Sequence, residues 1–318
     1  MLNIVILEGH AVNPGDLSWD AYRAFGELTV YDRTAAEEVI ARSEDADVLI
    51  VNKTKLNEDV ISRLPKLKLI LEAATGYDNI DVAAAKRHGI PVCNVPGYAR
   101  DAVAQMVVAM ILDSCSKVGY YSNEVRNGRW SSSRDFSFLT LPINELGCLS
   151  LAIVGFGSIG SQVANYLQPF GMKIYAVTHK PADQLPAYVK PIALEEAFRC
   201  CDFVSLNCPL NEDNRGLVNS SLLESCKEGL ILINTARGGL IDDEAVSSAL
   251  STGRLGAYYA DVLSEEPPKI THPLLGAPNA FITPHIAWAT TTARQRLVDA
   301  HLANLRDFVA GQLNNTVN

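Results

Sequence analysis

The chain has 318 residues, of which 48% are hydrophobic, and its 36 acidic and 27 basic side chains give a net charge of −9. This length predicts two domains, and the acidic balance argues against a nucleic-acid partner. The N-terminus lacks the basic start of a signal peptide, and no apolar stretch reaches the roughly 18 residues of a membrane span, so we expect a cytoplasmic protein without membrane contact. The seven cysteines contain no C-x-x-C pair, which favours buried free thiols and no metal site.

The first hundred residues alternate between strand and helix patterns, which is typical of a parallel sheet. The patterns predict four strands, at 2–8, 48–52, 67–72 and 90–95, and two helices, at 35–42 and 82–88. Parallel sheets bind ligands at the carboxyl ends of their strands. Lys53 follows the second strand, and Thr75 and Gly76 follow the third in a turn whose N–H groups could hold an anion. A solvated lysine and a turn capped by Asp78 and Asn79 are the simpler local interpretation.

The chain changes character near residue 100, where we place the first domain crossing. Asp101 is a candidate N-cap for a helix over 102–115 that is apolar on nearly all sides and therefore buried. Residues 116–148 are polar and aromatic, with Trp130 in a serine-rich setting. We interpret them as a projecting arm that pairs with a second copy, which predicts a homodimer. A long loop packed on its own subunit is the alternative.

A glycine-rich turn stands between a strand and a helix at 149–160. Gly155, Gly157 and Gly160 fit the G-x-G-x-x-G pattern of dinucleotide-binding turns. The first glycine permits the turn, the second lets phosphates approach, and the third lets helix and strand pack closely. A helical pattern from Ile159 to Leu167 follows the turn, and the first N–H groups of such a helix can hold a pyrophosphate. The stretch therefore predicts a dinucleotide cofactor.

The next predicted strand, 173–178, should end at the adenosine ribose, where NAD-binding units place an acidic residue. Thr178, His179 and Lys180 occupy this position, and no carboxylate appears before Asp183. Loss of the negative charge and gain of a cation should admit a 2′-phosphate, so NADPH is favoured over NADH. A solvent-facing His-Lys pair without influence on the cofactor is the alternative.

The remaining patterns continue the alternation to the C-terminus. They predict strands at 202–208, 230–234, 256–262 and 280–283. They predict helices at 243–251 and 292–310. Arg237 stands beside two glycines at the carboxyl end of a buried strand, and its guanidinium fork suits a carboxylate. The last helix is long enough to return to the first domain.

Three motifs follow the glycine turn in order, namely Ala236-Arg237-Gly238, Glu266-Pro267 and Pro284-His285. With Gly76-x-Asp78-Asn79-Ile80-Asp81, Asn94-Val95-Pro96-Gly97 and Asp261-Val262, this ordered set resembles the D-isomer-specific 2-hydroxyacid dehydrogenases over essentially the whole chain. Within that family, Glu8-Gly9-His10 and His285-Ile286-Ala287-Trp288 look most like the glycerate dehydrogenases, also called hydroxypyruvate reductases.

The resemblance implies an α/β fold of two doubly wound parallel-sheet domains. A Rossmann dinucleotide-binding domain at 100–288, with the dimerisation arm near 116–148, would be inserted in a flavodoxin-like substrate domain formed by 1–99 and 289–318. The Rossmann domain would then carry both the glycine turn and the three later motifs.

The resemblance also assigns roles to residues. His285 corresponds to the acid/base of the family, and histidine titrates near neutral pH as that role requires. Glu266, rather than Glu265, corresponds to its partner carboxylate, and a negative neighbour favours the imidazolium. Arg237 completes the catalytic set and binds substrate, and Lys53, Thr75 and Gly76 are further candidate substrate contacts. The candidate cofactor contacts are Gly155, Gly157, Ser158, Ile159, Gly160, Thr178, His179, Lys180, Cys208, Pro209, Thr235, Ala236 and, near the nicotinamide amide, Asp261.

We therefore expect an NAD(P)-dependent enzyme that transfers hydride between nicotinamide and a small 2-hydroxy or 2-oxo acid, with hydroxypyruvate or glyoxylate as the leading substrate. A phosphoglycerate or another 2-oxo acid dehydrogenase is one alternative. A dehydrogenase-like protein that senses nucleotides without catalysis is another. Turnover separates the last alternative from the first two.

Overall fold

The computed structural model describes residues 1–318 and forms two compact units, one of Met1–Ala99 and Trp288–Asn318 and the other of Arg100–Ala287. The sequence-based boundary placed Trp288 in the second domain. In the structure this residue belongs to the first unit, where its ring packs edge-on against Tyr98 with the centroids 6.4 Å apart.

Both units alternate strands with helices. The strands are β1 (Leu2–Ile6), β2 (Gly26–Val30), β3 (Val48–Val51), β4 (Leu69–Glu72), β5 (Val92–Cys93), β6 (Ser150–Val154), β7 (Lys173–Val177), β8 (Val189–Pro191), β9 (Phe203–Leu206), β10 (Leu230–Asn234), β11 (Leu255–Ala260) and β12 (Ala280–Ile282). The helices are α1 (Gly9–Val12), α2 (Val39–Ser43), α3 (Glu58–Ser62), α4 (Val82–Arg87), α5 (Arg100–Ser116), α6 (Val118–Arg126), α7 (Ser158–Leu167), α8 (Leu194–Cys200), α9 (Ser220–Glu224), α10 (Asp243–Ser251) and α11 (Thr291–Val309).

The first unit is built on five parallel strands in the order β2-β1-β3-β4-β5. Every residue of β3 and β4 is buried, as expected for inner strands of a parallel sheet. The strand order reverses between β1 and β3, the position at which such sheets bind ligands. β2 escaped prediction because it is only partly buried and contains Gly26 and the exposed Glu27.

The C-terminal helix α11 belongs to the first unit and is tied to residues near the N-terminus. The buried Arg294 donates hydrogen bonds of 2.6 Å to both carboxylate oxygens of Asp16 and one of 3.1 Å to the carbonyl oxygen of Val12. The hydrogen-bonded guanidinium holds the pKa of Asp16 below its ordinary value. These contacts explain how two distant segments of chain form one unit.

Two titratable side chains are buried where α11 contacts the end of β4. Glu72 Oε2 accepts a hydrogen bond of 3.0 Å from Asn79 Nδ2, whereas the buried Oε1 has no hydrogen-bond partner. Burial raises the pKa of Glu72 to about 9. Burial also lowers the pKa of His301 to about 4, and the Nε2 of this ring donates to the carbonyl oxygen of Glu72 at 2.9 Å. Both side chains are therefore uncharged in the folded protein at neutral pH.

We expect Glu72→Gln to stabilise the protein at alkaline pH. The pKa of this carboxyl is about 9 in the folded state against an ordinary value of 4.5, so unfolding releases a proton between these limits and stability falls as the pH rises. Glutamine cannot ionise. The free energy of unfolding of the variant should therefore exceed that of the wild type by about 4 kcal/mol at pH 8, and by much less at pH 5.

Urea unfolding of both proteins at the two pH values measures this difference. Glu27→Gln is the matched control, because Glu27 is an exposed glutamate on β2 and its replacement should leave the pH dependence unchanged. An equal gain at both pH values in Glu72→Gln would contradict the assignment.

The second unit is built on seven parallel strands in the order β12-β11-β10-β9-β6-β7-β8. Its strand order reverses between β6 and β9. With two doubly wound parallel sheets, the predicted fold class is confirmed. β8 was not predicted, because it has three residues and two of them, Lys190 and Pro191, are exposed.

Residues 116–148, the predicted arm, contain the helix α6, of which no residue is buried. Two aromatic side chains tie this segment together. Trp130 Nε1 donates to the carbonyl oxygen of Phe136 at 2.8 Å, and the Tyr121 hydroxyl donates to that of Leu141 at 2.7 Å. No individual helix is both long enough and apolar enough to cross a membrane. The helices α5 and α6 meet these two conditions only when they are taken together, and they are bent by 54° relative to each other.

All seven cysteines are free. Cys93, Cys115, Cys201 and Cys226 are buried as expected, whereas Cys148 and Cys200 are exposed, contrary to the prediction of buried thiols. Burial raises the pKa of Cys93 to about 11. The buried thiols therefore stay protonated at neutral pH.

Candidate active site

The glycine turn joins β6 to α7. Gly155 has a φ of 90°, and a Cβ on it would lie 2.7 Å from the backbone nitrogen of Cys208. A Cβ on Gly160 would lie 2.3 Å from the carbonyl oxygen of Gly155. Gly157 is the N-cap of α7, ahead of Ser158 and Ile159, and no heavy atom lies within 4 Å of its Cβ position. The first and third glycines are thus required by packing, while the second leaves room for a phosphate to approach the helix N-terminus.

The other candidate cofactor contacts follow neighbouring strands. Cys208 and Pro209 follow β9, and the close approach of Cys208 to Gly155 lies where the strand order reverses. Thr235 and Ala236 follow β10, the next strand in the sheet. Doubly wound sheets bind dinucleotides at this point of reversal, so the residues present fit such a cofactor.

Thr178, His179 and Lys180 directly follow β7. Thr178 Oγ1 accepts a hydrogen bond of 3.2 Å from the backbone nitrogen of Lys180. The Lys180 ammonium lies 5.9 Å from the ring centroid of Phe156, a residue of the glycine turn. Asp183 lies beyond, in a short turn of 3-10 helix. A cation, and not a carboxylate, therefore stands beside the glycine turn.

The three later motifs follow β10, β11 and β12, which are adjacent parallel strands. His285, after β12, places its Nδ1 2.6 Å from Oε2 of Glu266, after β11. The neighbouring Glu265 instead pairs with Lys269 at 3.2 Å. The side chains of His285 and Glu266 are 28% and 32% exposed, so the pair is held by the protein and still reachable by a small molecule.

Asp261 fixes the turn that carries His285. This carboxylate is 1% exposed, and it accepts hydrogen bonds from Thr283 Oγ1 at 2.5 Å, from Ile286 N at 2.9 Å and from Ala287 N at 2.7 Å. His285 has a φ of 54°, a left-handed conformation that a non-glycine residue adopts only when its surroundings hold it there. The predicted contact of Asp261 with the nicotinamide amide stays a prediction.

Arg237 stands in a turn fixed from both sides. Asn234 is buried; its Nδ2 donates to the carbonyl oxygen of Arg237 at 2.9 Å, and its Oδ1 accepts from the backbone nitrogen of Ala236 at 3.1 Å. On the other side, a Cβ on Gly238 would lie 2.0 Å from the carbonyl carbon of Leu263. The Arg237 turn therefore packs directly on the segment that leads to Glu266.

The candidate substrate contacts Lys53, Thr75 and Gly76 belong to the first unit, where they follow the adjacent strands β3 and β4. Glu8 Oε2 accepts hydrogen bonds of 2.8 to 2.9 Å from the three consecutive backbone N–H groups of 52–54. Thr75 Oγ1 donates to the carbonyl oxygen of Val95 at 2.8 Å. Both loops are thus held in place at one edge of the five-stranded sheet.

Three sets of contacts were not predicted. They are the bonds from Glu8 to 52–54, the bonds from Asp261 to the His285 turn, and the contact of Ser264 and His272 with Asp243 in α10. The partners Asp243 and Ser264 are separated by 21 residues, and Asp261 and Ile286 by 25. No periodic pattern links residues so far apart, so the sequence offered no signal for these contacts.

Comparison with known proteins agrees with this geometry. A family model described as D-isomer specific 2-hydroxyacid dehydrogenase, NAD binding domain, matches residues 108–287. A hydroxypyruvate reductase from Blautia hydrogenotrophica is 39% identical over 321 residues, and a glycerate dehydrogenase from Methylorubrum extorquens is 37% identical over 294 residues; the alignments cover 100% and 92% of both chains. The TT0316 protein from Thermus thermophilus superposes over 100% of both chains with a TM-score of 0.88 and 32% identity.

The family model matches more than half of the chain, and the match to both relatives extends over nearly their full length. The three motifs that contain Arg237, Glu266 and His285 lie at the carboxyl ends of adjacent strands in the second unit. The chain therefore belongs to the D-isomer-specific 2-hydroxyacid dehydrogenases, a family of oxidoreductases, and contains their NAD-binding domain.

Proposed function

We propose that this chain reduces hydroxypyruvate and glyoxylate to the corresponding 2-hydroxy acids and prefers NADPH to NADH. The observation that carries the proposal is the 2.6 Å contact between His285 Nδ1 and Glu266 Oε2, on strand ends beside the Arg237 turn. The likeness to a hydroxypyruvate reductase and a glycerate dehydrogenase along nearly the whole chain supports the substrate class.

In this proposal each site residue has one task. The nicotinamide, when bound, supplies hydride to the carbonyl carbon of the 2-oxo acid. Glu266 engages Nδ1 of His285 and favours the imidazolium, so the proton for the developing alkoxide comes from Nε2. The planar guanidinium of Arg237 binds the carboxylate and the carbonyl oxygen of the substrate. Lys53, Thr75 and Gly76 remain proposed contacts of the substrate carboxylate.

The NADPH preference rests on the residues after β7. Thr178, His179 and Lys180 offer a hydroxyl, an imidazole and an ammonium group where a ribose-binding carboxylate would favour NADH. The position of the Lys180 ammonium over Phe156 supports its place beside the glycine turn. A 2′-phosphate bound there would lie beside the positive charge of Lys180.

The proposal is tested by initial rates with hydroxypyruvate, glyoxylate and 3-phosphohydroxypyruvate, each with NADH and with NADPH. We expect the highest kcat/KM for hydroxypyruvate with NADPH. A preference for NADH would overturn the cofactor proposal alone, and a preference for 3-phosphohydroxypyruvate would overturn the substrate proposal alone. Absence of turnover with all six pairs would favour a nucleotide-binding protein without catalysis.

Lys180→Ala should raise the KM for NADPH about tenfold, because it removes one charge-assisted hydrogen bond to the 2′-phosphate. The KM for NADH should stay unchanged, since NADH lacks that phosphate. Lys190→Ala removes an exposed lysine from β8 and serves as the matched control. An equal loss with both cofactors would argue against contact with the 2′-phosphate.

We also infer that the chain forms a homodimer through residues 116–148. Five large apolar side chains of this segment are more than half exposed, namely Val118, Trp130, Phe136, Leu139 and Ile143. Several large apolar side chains exposed in one segment are typical of a protein interface. The cytoplasmic location expected from the sequence stays a prediction.

Replacement of Phe136 and Leu139 together by glutamate should convert the dimer to a monomer, which sedimentation equilibrium measures directly. Two buried charges at the interface would lack partners. Val309→Glu places the same charge at an exposed apolar position in α11 and should leave the mass unchanged. A wild-type protein that sediments as a monomer would rule out the dimer.

A further inference from the structure

A cluster of three polar side chains joins α10 to the segment that carries Glu266. Ser264 Oγ donates a hydrogen bond to Oδ2 of Asp243, the first residue of α10. His272 Nε2 lies 3.3 Å from the same carboxylate oxygen and 3.3 Å from Ser264 Oγ. Ser264 and His272 stand on either side of Glu266 in the chain, so one carboxylate holds both ends of the segment 264–272.

The hydrogen bonds of His272 define which ring nitrogen carries the proton. The backbone nitrogen of Leu274 donates to Nδ1 at 3.4 Å, so in the neutral ring the proton is on Nε2 and points toward Asp243 and Ser264. The ring is 8% exposed. The three groups thus form a consistent chain, in which the imidazole Nε2 donates to the serine hydroxyl and that hydroxyl donates to the carboxylate.

One atom of the network, the second carboxylate oxygen of Asp243, is energetically unfavourable. Oδ1 of Asp243 is buried and has no hydrogen-bond partner. An unsatisfied buried oxygen destabilises the folded state, and each such group in a native protein calls for an explanation. The polar contacts of the Asp243 carboxylate are made through Oδ2.

The segment between Ser264 and His272 is held by polar contacts rather than by burial. Every residue from 264 to 271 is exposed, so burial does not determine its path. At its start, Leu263 is buried, and its backbone nitrogen donates to Glu266 Oε1 at 3.0 Å. The carbonyl carbon of Leu263 also packs against Gly238, next to Arg237. A shift of Ser264 would thus move the support of Glu266 and of the Arg237 turn together.

We propose that Asp243, Ser264 and His272 form a positioning cluster that keeps Glu266 Oε2 within hydrogen-bond distance of His285 Nδ1. The three residues do not touch the reacting atoms; they act through Glu266. The inference rests on the roles proposed above for Glu266 and His285. It adds three residues to the machinery of proton transfer, all of them outside the motifs that identify the family.

The test compares Ser264→Ala and Asp243→Asn with the wild type in the reduction of hydroxypyruvate. We expect kcat to fall about tenfold in both variants, because a small displacement of a catalytic group lowers the rate steeply, and the KM for the cofactor to stay unchanged. The alkaline limb of the kcat/KM profile should move to lower pH, because a displaced carboxylate favours the imidazolium less. A purely structural role would lower stability without moving this limb.

Two further variants make the result specific. Ser264→Thr keeps the hydroxyl and should restore the wild-type profile. Ser251→Ala removes a hydroxyl from the other end of α10, where Ser251 Oγ donates to the carbonyl oxygen of Ser247, and should change nothing. A wild-type pH profile in both Ser264→Ala and Asp243→Asn would overturn the inference.

Glu266→Gln separates this inference from the proposed function. If Glu266→Gln moves the alkaline limb while Ser264→Ala and Asp243→Asn do not, the pair His285–Glu266 stands and the positioning cluster is rejected. If Glu266→Gln itself leaves the profile unchanged, the proposed role of Glu266 fails and the inference fails with it. Movement of the limb in all three variants supports both.

Discussion

His285→Ala should lower kcat for the reduction of hydroxypyruvate about a thousandfold, because a positioned general acid contributes roughly 10² to 10⁴ to the rate. The imidazole is the group proposed to give a proton to the alkoxide, and alanine leaves only water for this step. Affinity for NADPH should stay within about twofold of the wild type, since the loss falls on proton transfer. Stopped-flow rates and fluorescence titration with NADPH measure the two quantities separately.

His88→Ala is the matched control for this variant. His88 is an exposed histidine that also pairs with a glutamate, at 2.8 Å from Glu58, but it lies in the first unit and has no proposed catalytic role. It should retain full activity. Loss of cofactor binding together with turnover in His285→Ala would mean that His285 supports the nucleotide site and not the proton transfer.

Arg237→Ala should raise the KM for hydroxypyruvate about a hundredfold, as expected for the loss of hydrogen bonds between a guanidinium and a carboxylate. The turn itself should persist, because Asn234 and Gly238 fix its backbone independently of the side chain. Arg237→Lys should fall between the wild type and alanine, since lysine keeps the charge but lacks the planar fork. Steady-state kinetics at fixed NADPH measures the series.

Arg199→Ala removes an exposed arginine from α8 and should leave KM and kcat unchanged. The KM for NADPH provides the second control within the Arg237 series, because the side chain is proposed to contact the substrate. An unchanged KM for hydroxypyruvate in Arg237→Ala would remove this residue from the substrate site. A loss confined to NADPH affinity would instead assign it to the cofactor.

Local pattern was enough to predict the alternation of buried parallel strands with helices and the dinucleotide turn, whereas the fold of two doubly wound domains rested on the family resemblance. Buried parallel strands such as β3 and β4 consist of continuous apolar runs, and a run of this kind is visible without knowledge of its partners. The glycine turn was predicted for a steric reason, and the structure shows the reason at Gly155 and Gly160, where a side chain would meet backbone atoms. Short strands with exposed residues, β2 and β8, lacked such a pattern and were missed.

The sequence also determined which loops carry the candidate chemistry. Arg237, Glu266 and His285 each follow an apolar run, and parallel strands present their carboxyl ends at one edge of a sheet. That physical rule predicts that the three loops lie near one another, but it does not predict which side chains form hydrogen bonds. The choice between Glu265 and Glu266 rested on resemblance, and the tertiary structure places Glu266 at the imidazole and Glu265 at Lys269.

Only the tertiary structure decided how these loops are held. Asp261 reaches the His285 turn across 25 residues, and Asp243 reaches Ser264 across 21, through hydrogen bonds between parts of the chain that no helical or strand periodicity connects. The same holds for Glu72 and His301, 229 residues apart, whose pKa values are set by burial that exists only in the folded chain. Periodicity and glycine sterics are local properties of the chain, whereas burial and long-range polar contacts arise from packing. The sequence by itself therefore determined the alternation of strands and helices and the loops that carry the candidate residues. The tertiary structure determined the geometry of the site.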